Sequence, residues 1–277
     1  MRRRQGLLML CALVVCTAAG VAPPSAAPRR ELRVCADPNN LPFSSERREG
    51  LENLVMARIA RDLGADLTYF WWPQRRGFVR NTLNAGLCDV VPGVPAQYDP
   101  VLTTRPYYRS SYVAVSRRAD GLHVTTFDDP ALSRLRIGVQ LIGDNGVNTP
   151  PAHALARRHI INNVRGFPVY GDYRRASPAA GIVEAVARGD IDVAFVWGPL
   201  AGYFAPRQSL PLDVRMLSVR DDPPGLSLDF DIAMGVRKGN AALRDELDEA
   251  LLRLRPQIGR ILDDFAVPRV EPSTAGR

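Results

Sequence analysis

The side chains able to hold a ligand or partner gather at a few places in this 277-residue sequence. Asp37, Asn39 and Asn40 follow the apolar run Leu32–Ala36, with Phe43 just beyond. Polar residues at the carboxyl end of a strand are where an α/β cleft receives its ligand. The same trio can instead satisfy backbone groups in a turn. Trp71 and Trp72 end a second apolar run, and neighbours on a strand point to opposite faces. One indole therefore belongs to the core, and the other lines a cleft or meets a partner. Arg75 and Arg76 follow, and their forked guanidinium groups suit a carboxylate or an acidic surface, or simply the charged start of a helix. Tyr98, Asp99, Tyr107 and Tyr108 offer wide contact area with polar tips, of the kind that anchors a protein partner. At least one of these tyrosines belongs to the core. Gln140, Asn145 and Trp197 are the candidates in the second half of the chain.

Other clusters point away from metal or catalytic chemistry. His123, His153 and His159 lack metal-ligand spacing. Gly143-Asp-Asn-Gly146 has no following Lys-Ser/Thr pair, so it reads as a turn, not a phosphate loop. Asp221, Asp222, Asp229 and Asp231 do not follow a calcium-loop pattern. No nucleophile, acid and base form a recognisable constellation, so neither enzymatic activity nor a resident cofactor is expected.

The elements that must position these residues show an internal repeat. A helical stretch runs into Gly86-Leu-Cys-Asp89-Val, and about a hundred residues later another runs into Gly189-Asp-Ile-Asp192-Val. Glycine closes a helix in the left-handed conformation, and the β-branched run that follows enters a sheet. Around the first copy the order is strand 32–36, helix 51–63, strand 67–70, helix 77–85 and strand 88–94. A second α/β unit begins at Leu135 and reaches Trp197 through helices near 152–159 and 178–187. Phe230–Val236 alternates at period two and reads as a return strand, antiparallel to the outgoing segment near Tyr112. Asn240 caps a helix striped by Leu243, Leu247, Leu251 and Leu254, and Pro256 starts another. The expected fold class is α/β, with two lobes joined by two hinge crossings. Residues 28–116 with 229–268 form lobe one, residues 117–228 form lobe two, and 269–277 are a tail.

Arg2-Arg3-Arg4 and the short apolar run Leu7–Val15, followed by small residues, read as a signal peptide over residues 1–27. The mature chain is then exported to the periplasm, with no integral membrane span. Its 33 basic and 29 acidic residues leave net +4, against +7 for the whole chain. Nearly all the basic residues are arginine, and no basic run is interleaved with aromatics, so nucleic acid is not expected as a partner. Cys35 and Cys88 remain after cleavage. In an oxidising compartment they form a disulfide, or they stay as buried thiols on neighbouring strands.

The order of elements, followed by Thr104-Arg-Pro-Tyr-Tyr108, resembles the type II periplasmic binding protein fold, family 3 of the solute-binding proteins. Three blocks narrow the likeness: Cys35-Ala-Asp-Pro-Asn-Asn-Leu-Pro-Phe43, Trp71-Trp-Pro-Gln-Arg-Arg-Gly-Phe-Val-Arg-Asn-Thr-Leu-Asn-Ala-Gly86 and Gly93-Val-Pro-Ala-Gln-Tyr-Asp99. They resemble the solute-binding-like proteins associated with PQQ-dependent methanol dehydrogenases, of the MoxJ and XoxJ type. That resemblance implies an accessory protein for assembly or activation of a calcium- or lanthanide-dependent quinoprotein in methanol oxidation. The partner would be the dehydrogenase large subunit, with a small-molecule ligand as a further option.

Amino-acid binders of this fold resemble one another in placing an arginine shortly after the third strand, to grip the ligand carboxylate. Here Pro95-Ala-Gln-Tyr-Asp-Pro100 has none. Two alternatives stand beside the accessory role: the receptor of an importer for a small solute, and an enzyme resembling cyclohexadienyl dehydratase.

Overall fold

The computed structural model describes residues 30–142, 148–169, 171–218, 221–222 and 225–270. The expected signal peptide, the Gly143-Asp-Asn-Gly146 turn with Asn145, and the tail beyond residue 270 lie outside the described residues.

Lobe one opens with β1 (Glu31–Ala36), α1 (Leu51–Asp62), β2 (Asp66–Trp71), α2 (Phe78–Asn81) and β3 (Val90–Pro95). β1 pairs in parallel with β2 and β3. The apolar stripe of α1 buries Leu51, Val55, Met56 and Ile59 completely, and Gly64 ends the helix at φ +63°. Helix α2 is shorter than the expected 77–85. The Thr82 hydroxyl donates to the Phe78 carbonyl at 2.7 Å, and its backbone leaves the helical region at φ −122°, ψ −79°.

Strand β4 (Tyr108–Arg117) then crosses to lobe two, which comprises β5 (Ile137–Leu141), α3 (Pro150–Arg157), β6 (Val164–Pro168), α4 (Gly181–Ala187), β7 (Val193–Trp197), α5 (Gly198–Phe204) and β8 (Leu212–Met216). Strand β9 (Asp229–Val236) returns, antiparallel to β4 from Asp229↔Ser111 to Ile232↔Tyr108, and continues antiparallel to β3. The two crossings thus fuse the lobes into one continuous sheet in the order β2-β1-β3-β9-β4-β7-β5-β6. Helices α6 (Ala241–Arg253) and α7 (Arg255–Asp264) fold back over lobe one. Their stripe of Leu243, Leu247, Leu251, Leu254, Ile258 and Ile261 joins the α1 side chains in one core. Lobe two has its own cores on the two sides of β7.

The repeated Gly-x-x-Asp segments build the same joint twice. In lobe one Asp89 accepts from the Arg33 backbone N–H (3.1 Å), Nε (3.0 Å) and Nη2 (2.7 Å). In lobe two Asp192 accepts from the same three groups of Arg136, at 2.8, 3.0 and 2.6 Å. Each arginine is on or beside the first strand of its lobe, so the bidentate pair staples that strand to the turn after the helix. Cys35 and Cys88 are joined as a disulfide beneath the first joint, with Cα atoms 5.5 Å apart.

Candidate functional site

A cavity of about 760 Å³ opens between the lobes. The carboxyl ends of the parallel strands deliver its polar groups, as α/β sheets do: Asp37 after β1, Gln140 near the end of β5, and Trp197 ending β7. The hinge strands supply its floor. Tyr112 of β4, Phe230 of β9 and Trp197 meet edge to face, with ring centroids 5.3 Å (Tyr112–Trp197), 5.9 Å (Trp197–Phe230) and 6.5 Å (Tyr112–Phe230) apart. Burial pushes the Tyr112 hydroxyl pKa well up. The Gln140 side-chain oxygen accepts from the Trp197 backbone N–H at 3.3 Å and fixes the start of α5.

Asp37 is only 4% exposed, and both of its carboxylate oxygens accept hydrogen bonds. One oxygen accepts from the Asn39 backbone N–H (2.7 Å), and the other from Gln74 N–H (2.6 Å) and the Tyr173 hydroxyl. It therefore organises both rims. Around it, the Asn40 side-chain amide donates to Gln74 Oε1 at 2.9 Å. Asn39 Nδ2 donates to the Arg175 carbonyl at 2.8 Å, and Arg75 donates to the Gly171 carbonyl at 3.3 Å while stacking 5.5 Å from the Tyr173 ring centroid. These contacts lay the 171–175 loop of lobe two across the mouth of lobe one. Burial, then the hydrogen bond to Asp37, drives the Tyr173 pKa upward.

Phe43, Tyr98, Tyr108 and Arg76 also line the cavity, Tyr98 and Arg76 at its rim. Four expected site residues lie off it. Trp71 stacks flat on Tyr69 (4.5 Å, 4° between planes) and packs against the lobe-one core. Trp72, on the opposite face, is 42% exposed and stacks on Phe70. Tyr107 packs on the same core, with its hydroxyl donating to the Pro92 carbonyl at 3.1 Å. Asp99 is an exposed partner of Lys238 at 3.2 Å. Period-two geometry separates the two indoles, but β2 is the edge strand of the sheet, so neither of its faces reaches the cleft.

Several cavity residues are not marked by the sequence pattern, among them Tyr112 and Phe230 of the floor, Tyr173 and Glu52. Glu52 is in the first turn of α1, and its carboxyl lies over the bare backbone of Gly93: a Cβ on Gly93 would fall 2.0 Å from Oε1. Burial raises its pKa to about 8, and the nearby Asp37 charge acts in the same direction. Among the described residues no hydrogen bond or ion pair reaches its side chain. An acid in a helix's first turn is unremarkable in sequence, so only the Gly93 contact distinguishes it.

No protein-family model matches the sequence. Among the described residues no helix is long and apolar enough to cross a membrane. The chain is 32% identical over 246 residues to the protein MoxJ of Methylorubrum extorquens, covering 86% of this chain and 81% of that protein. The crystal structure of the periplasmic binding protein XoxJ from Methylobacterium extorquens superimposes with TM-score 0.71 at 33% identity, over 87% of this chain and all of that one. MxaJ from Methlophaga aminisulfidivorans superimposes with TM-score 0.72 at 25% identity, over 86% of this chain and all of that one. With the hinged two-lobe sheet already described, these likenesses establish that the chain has the type II periplasmic binding fold and belongs to the MoxJ/XoxJ family.

Proposed function

We propose that this protein is a periplasmic accessory factor for assembly or activation of a PQQ-dependent methanol dehydrogenase, and that its interlobe cleft holds a segment of the dehydrogenase large subunit. The observation that carries this reading is the make-up of the cavity. Its floor is aromatic, Asp37 and Glu52 line it with carboxyls, and the stretch Pro95–Pro100 after β3 has no arginine to seize a free amino acid's carboxylate. A volume of about 760 Å³ is ample for several side chains of an entering segment. Arg75, Arg76 and Arg80 at the mouth suit an acidic partner surface. PQQ and the calcium or lanthanide ion belong to the partner, and the accessory role is not enzymatic. It acts by binding one conformational state of the dehydrogenase better than the other. The Cys35–Cys88 disulfide suits the oxidising compartment beyond the inner membrane.

The test is capture of purified apo-dehydrogenase by the immobilised mature protein. Retention of the apo form above the holo form is expected, and no interaction with either overturns the reading. A thermal shift with one small solute, and none with dehydrogenase, would instead favour an importer receptor. Glu52 supports one second reading. A dehydratase of the cyclohexadienyl type needs a carboxyl acid in its cleft, and an acid of pKa about 8 is protonated at neutral pH. Turnover of arogenate or prephenate by the purified protein tests that possibility.

A further inference from the structure

We infer that Glu52 is the anchor for a basic side chain, an ammonium or guanidinium head borne by the segment that enters the cleft, whose stem lies across the aromatic floor. This rests on the proposed capture of a dehydrogenase segment and specifies its chemistry. Among the described residues, the carboxyl of Glu52 faces the cavity without a hydrogen-bond or ion-pair partner, whereas the other acid lining it, Asp37, accepts from three donors. Glu52 lies close to Tyr108, which pairs with Ile232 across the hinge strands. Phe230 lies two residues before Ile232 on the same face of the sheet, and Tyr112 and Trp197 pack on Phe230. The cavity thus runs from a carboxyl to a patch of three rings. Aromatic faces attract cations, and an alkyl stem packs well against them. A lysine or arginine side chain satisfies both ends of that path, while a neutral apolar side chain leaves the carboxyl desolvated and unused.

The arginines at the mouth add a second requirement. Arg75 is occupied with Tyr173 and Gly171. Arg76 and Arg80 remain exposed at the rim, so acidic residues flanking the basic tip complement them. The segment has the pattern acid–base–acid.

Protons report the event. The groups facing Glu52 are Asp37 from the loop after β1, Tyr69 of β2, and Tyr107 and Tyr108 at the start of β4. Burial pushes the three tyrosines up, so they stay neutral while Glu52 titrates. A cation placed on Glu52 pulls its pKa below neutrality. Binding at neutral pH then releases about one proton, and affinity rises from about pH 6 to about pH 8.

Three capped probes test the site: acetyl-arginine amide, acetyl-lysine amide and acetyl-norleucine amide, the last matching lysine's stem without its charge. They are titrated calorimetrically in buffers of different ionisation enthalpy and followed by tryptophan fluorescence. The basic probes are expected to bind the wild type at least tenfold more tightly than norleucine, with proton release. Glu52→Gln, which mimics the protonated acid in shape, abolishes both the preference and the proton release. No preference, whether through equal binding or none, overturns the inference. Dehydrogenase capture separates the two proposals. Equal capture by wild type and Glu52→Gln removes the Glu52 anchor alone, whereas no capture by the wild type removes the dehydrogenase reading and leaves the cation site to the probes.

Discussion

The two lobes fasten their first strand with the same joint and finish it differently. Arg33–Asp89 in lobe one and Arg136–Asp192 in lobe two match bond for bond. The match extends to the hinge. Arg237, one residue past the return strand β9, donates to the Leu83 and Cys88 carbonyls at 3.3 and 2.6 Å. Arg117, ending the outgoing strand β4, donates to the equivalent Val186 and Ile191 carbonyls at 2.9 and 3.0 Å. Each crossing strand is thus tied into the lobe it enters by one arginine on the helix-ending turn. Beneath the joint the lobes diverge. Lobe one has the Cys35–Cys88 disulfide, while lobe two has Ile191 packed onto Gly138, where a Cβ would meet Ile191 Cδ1 at 2.4 Å. Two residues along, Asp37 faces the cavity from lobe one and Gln140 from lobe two. The repeated acids are therefore structural, and the ligand-facing chemistry lies where the repeat breaks. Among the described residues, the acids lining the cavity, Asp37 and Glu52, come from lobe one, whereas lobe two offers an amide, a phenol and an indole.

Breaking the covalent fastening tests whether lobe one depends on it. The bond closes a loop of sequence separation 53, for which chain entropy assigns about 4 kcal/mol. Cys35→Ser with Cys88→Ser should lower stability in denaturant unfolding by about that amount; an unchanged midpoint would show that the apolar packing around it suffices, as in lobe two.

Asp192→Ala comes next, at about 2 kcal/mol, because it removes the three bonds that Asp192 accepts from Arg136 and its pair with the part-buried Arg117, which keeps Asp120 and two backbone carbonyls. Asp89→Ala should match it within about 1 kcal/mol if the joints are equivalent. The hydrogen bonds from Arg136 hold the Asp192 carboxyl at about 2. A depressed carboxylate stabilises the fold above the ordinary carboxylate range and loses that contribution as pH falls through about 2. Because Arg136 is exposed, solvent screening leaves a contribution on the order of 1 kcal/mol, read as the acid limb of wild-type stability that Asp192→Ala lacks. At Asp89 burial pushes upward, but the hydrogen bonds from Arg33 outweigh it and lower the pKa, so the same acid limb should shrink in Asp89→Ala. Gly138→Ala, which crowds Ile191, should cost about 1–2 kcal/mol. A stabilised protein would mean that Ile191 has room to turn aside.

Much of this frame is readable from the residues. The glycine–aspartate spacing, the leucine stripe of α6 and the period-two run of β9 each specify an element, because local conformation and burial agree there. The ends of β1, β5 and β7 follow, and with them Asp37, Gln140 and Trp197. What eluded the pattern is set by packing between distant segments. Glu52 lies 41 positions before Gly93, and nothing local marks a first-turn acid as cavity-facing. Tyr173 is in an irregular loop whose course depends on Asp37 across the cleft. Alternation separates Trp71 from Trp72, yet β2 is the outermost strand of the sheet, far in strand order from the hinge, and both lie off the cavity. Leu54, apolar and at helical spacing, faces solvent because the α1 stripe is narrower than its composition suggests.

The smallest expected effect concerns how the lobes meet. Tyr173→Phe removes one hydroxyl from Asp37 but leaves the carboxylate its two backbone donors, so folding should hardly change. The closed arrangement, in contrast, loses a hydrogen bond between lobes worth about 1 kcal/mol, roughly a fivefold shift toward opening. Spin labels on cysteines replacing Ile161 in lobe two (61% exposed) and Leu252 in lobe one (51% exposed) would read that shift as a longer distance population. Arg75→Ala, losing a longer bond and a stacking contact, should move it less. An unaltered distance distribution in Tyr173→Phe would mean that the 171–175 loop is held on lobe one by the Asn39–Arg175 and Arg75–Gly171 contacts without the Asp37 bond. Asp37 would then serve only its own rim, and the contrast between a charged lobe and a neutral one would no longer bear on closure.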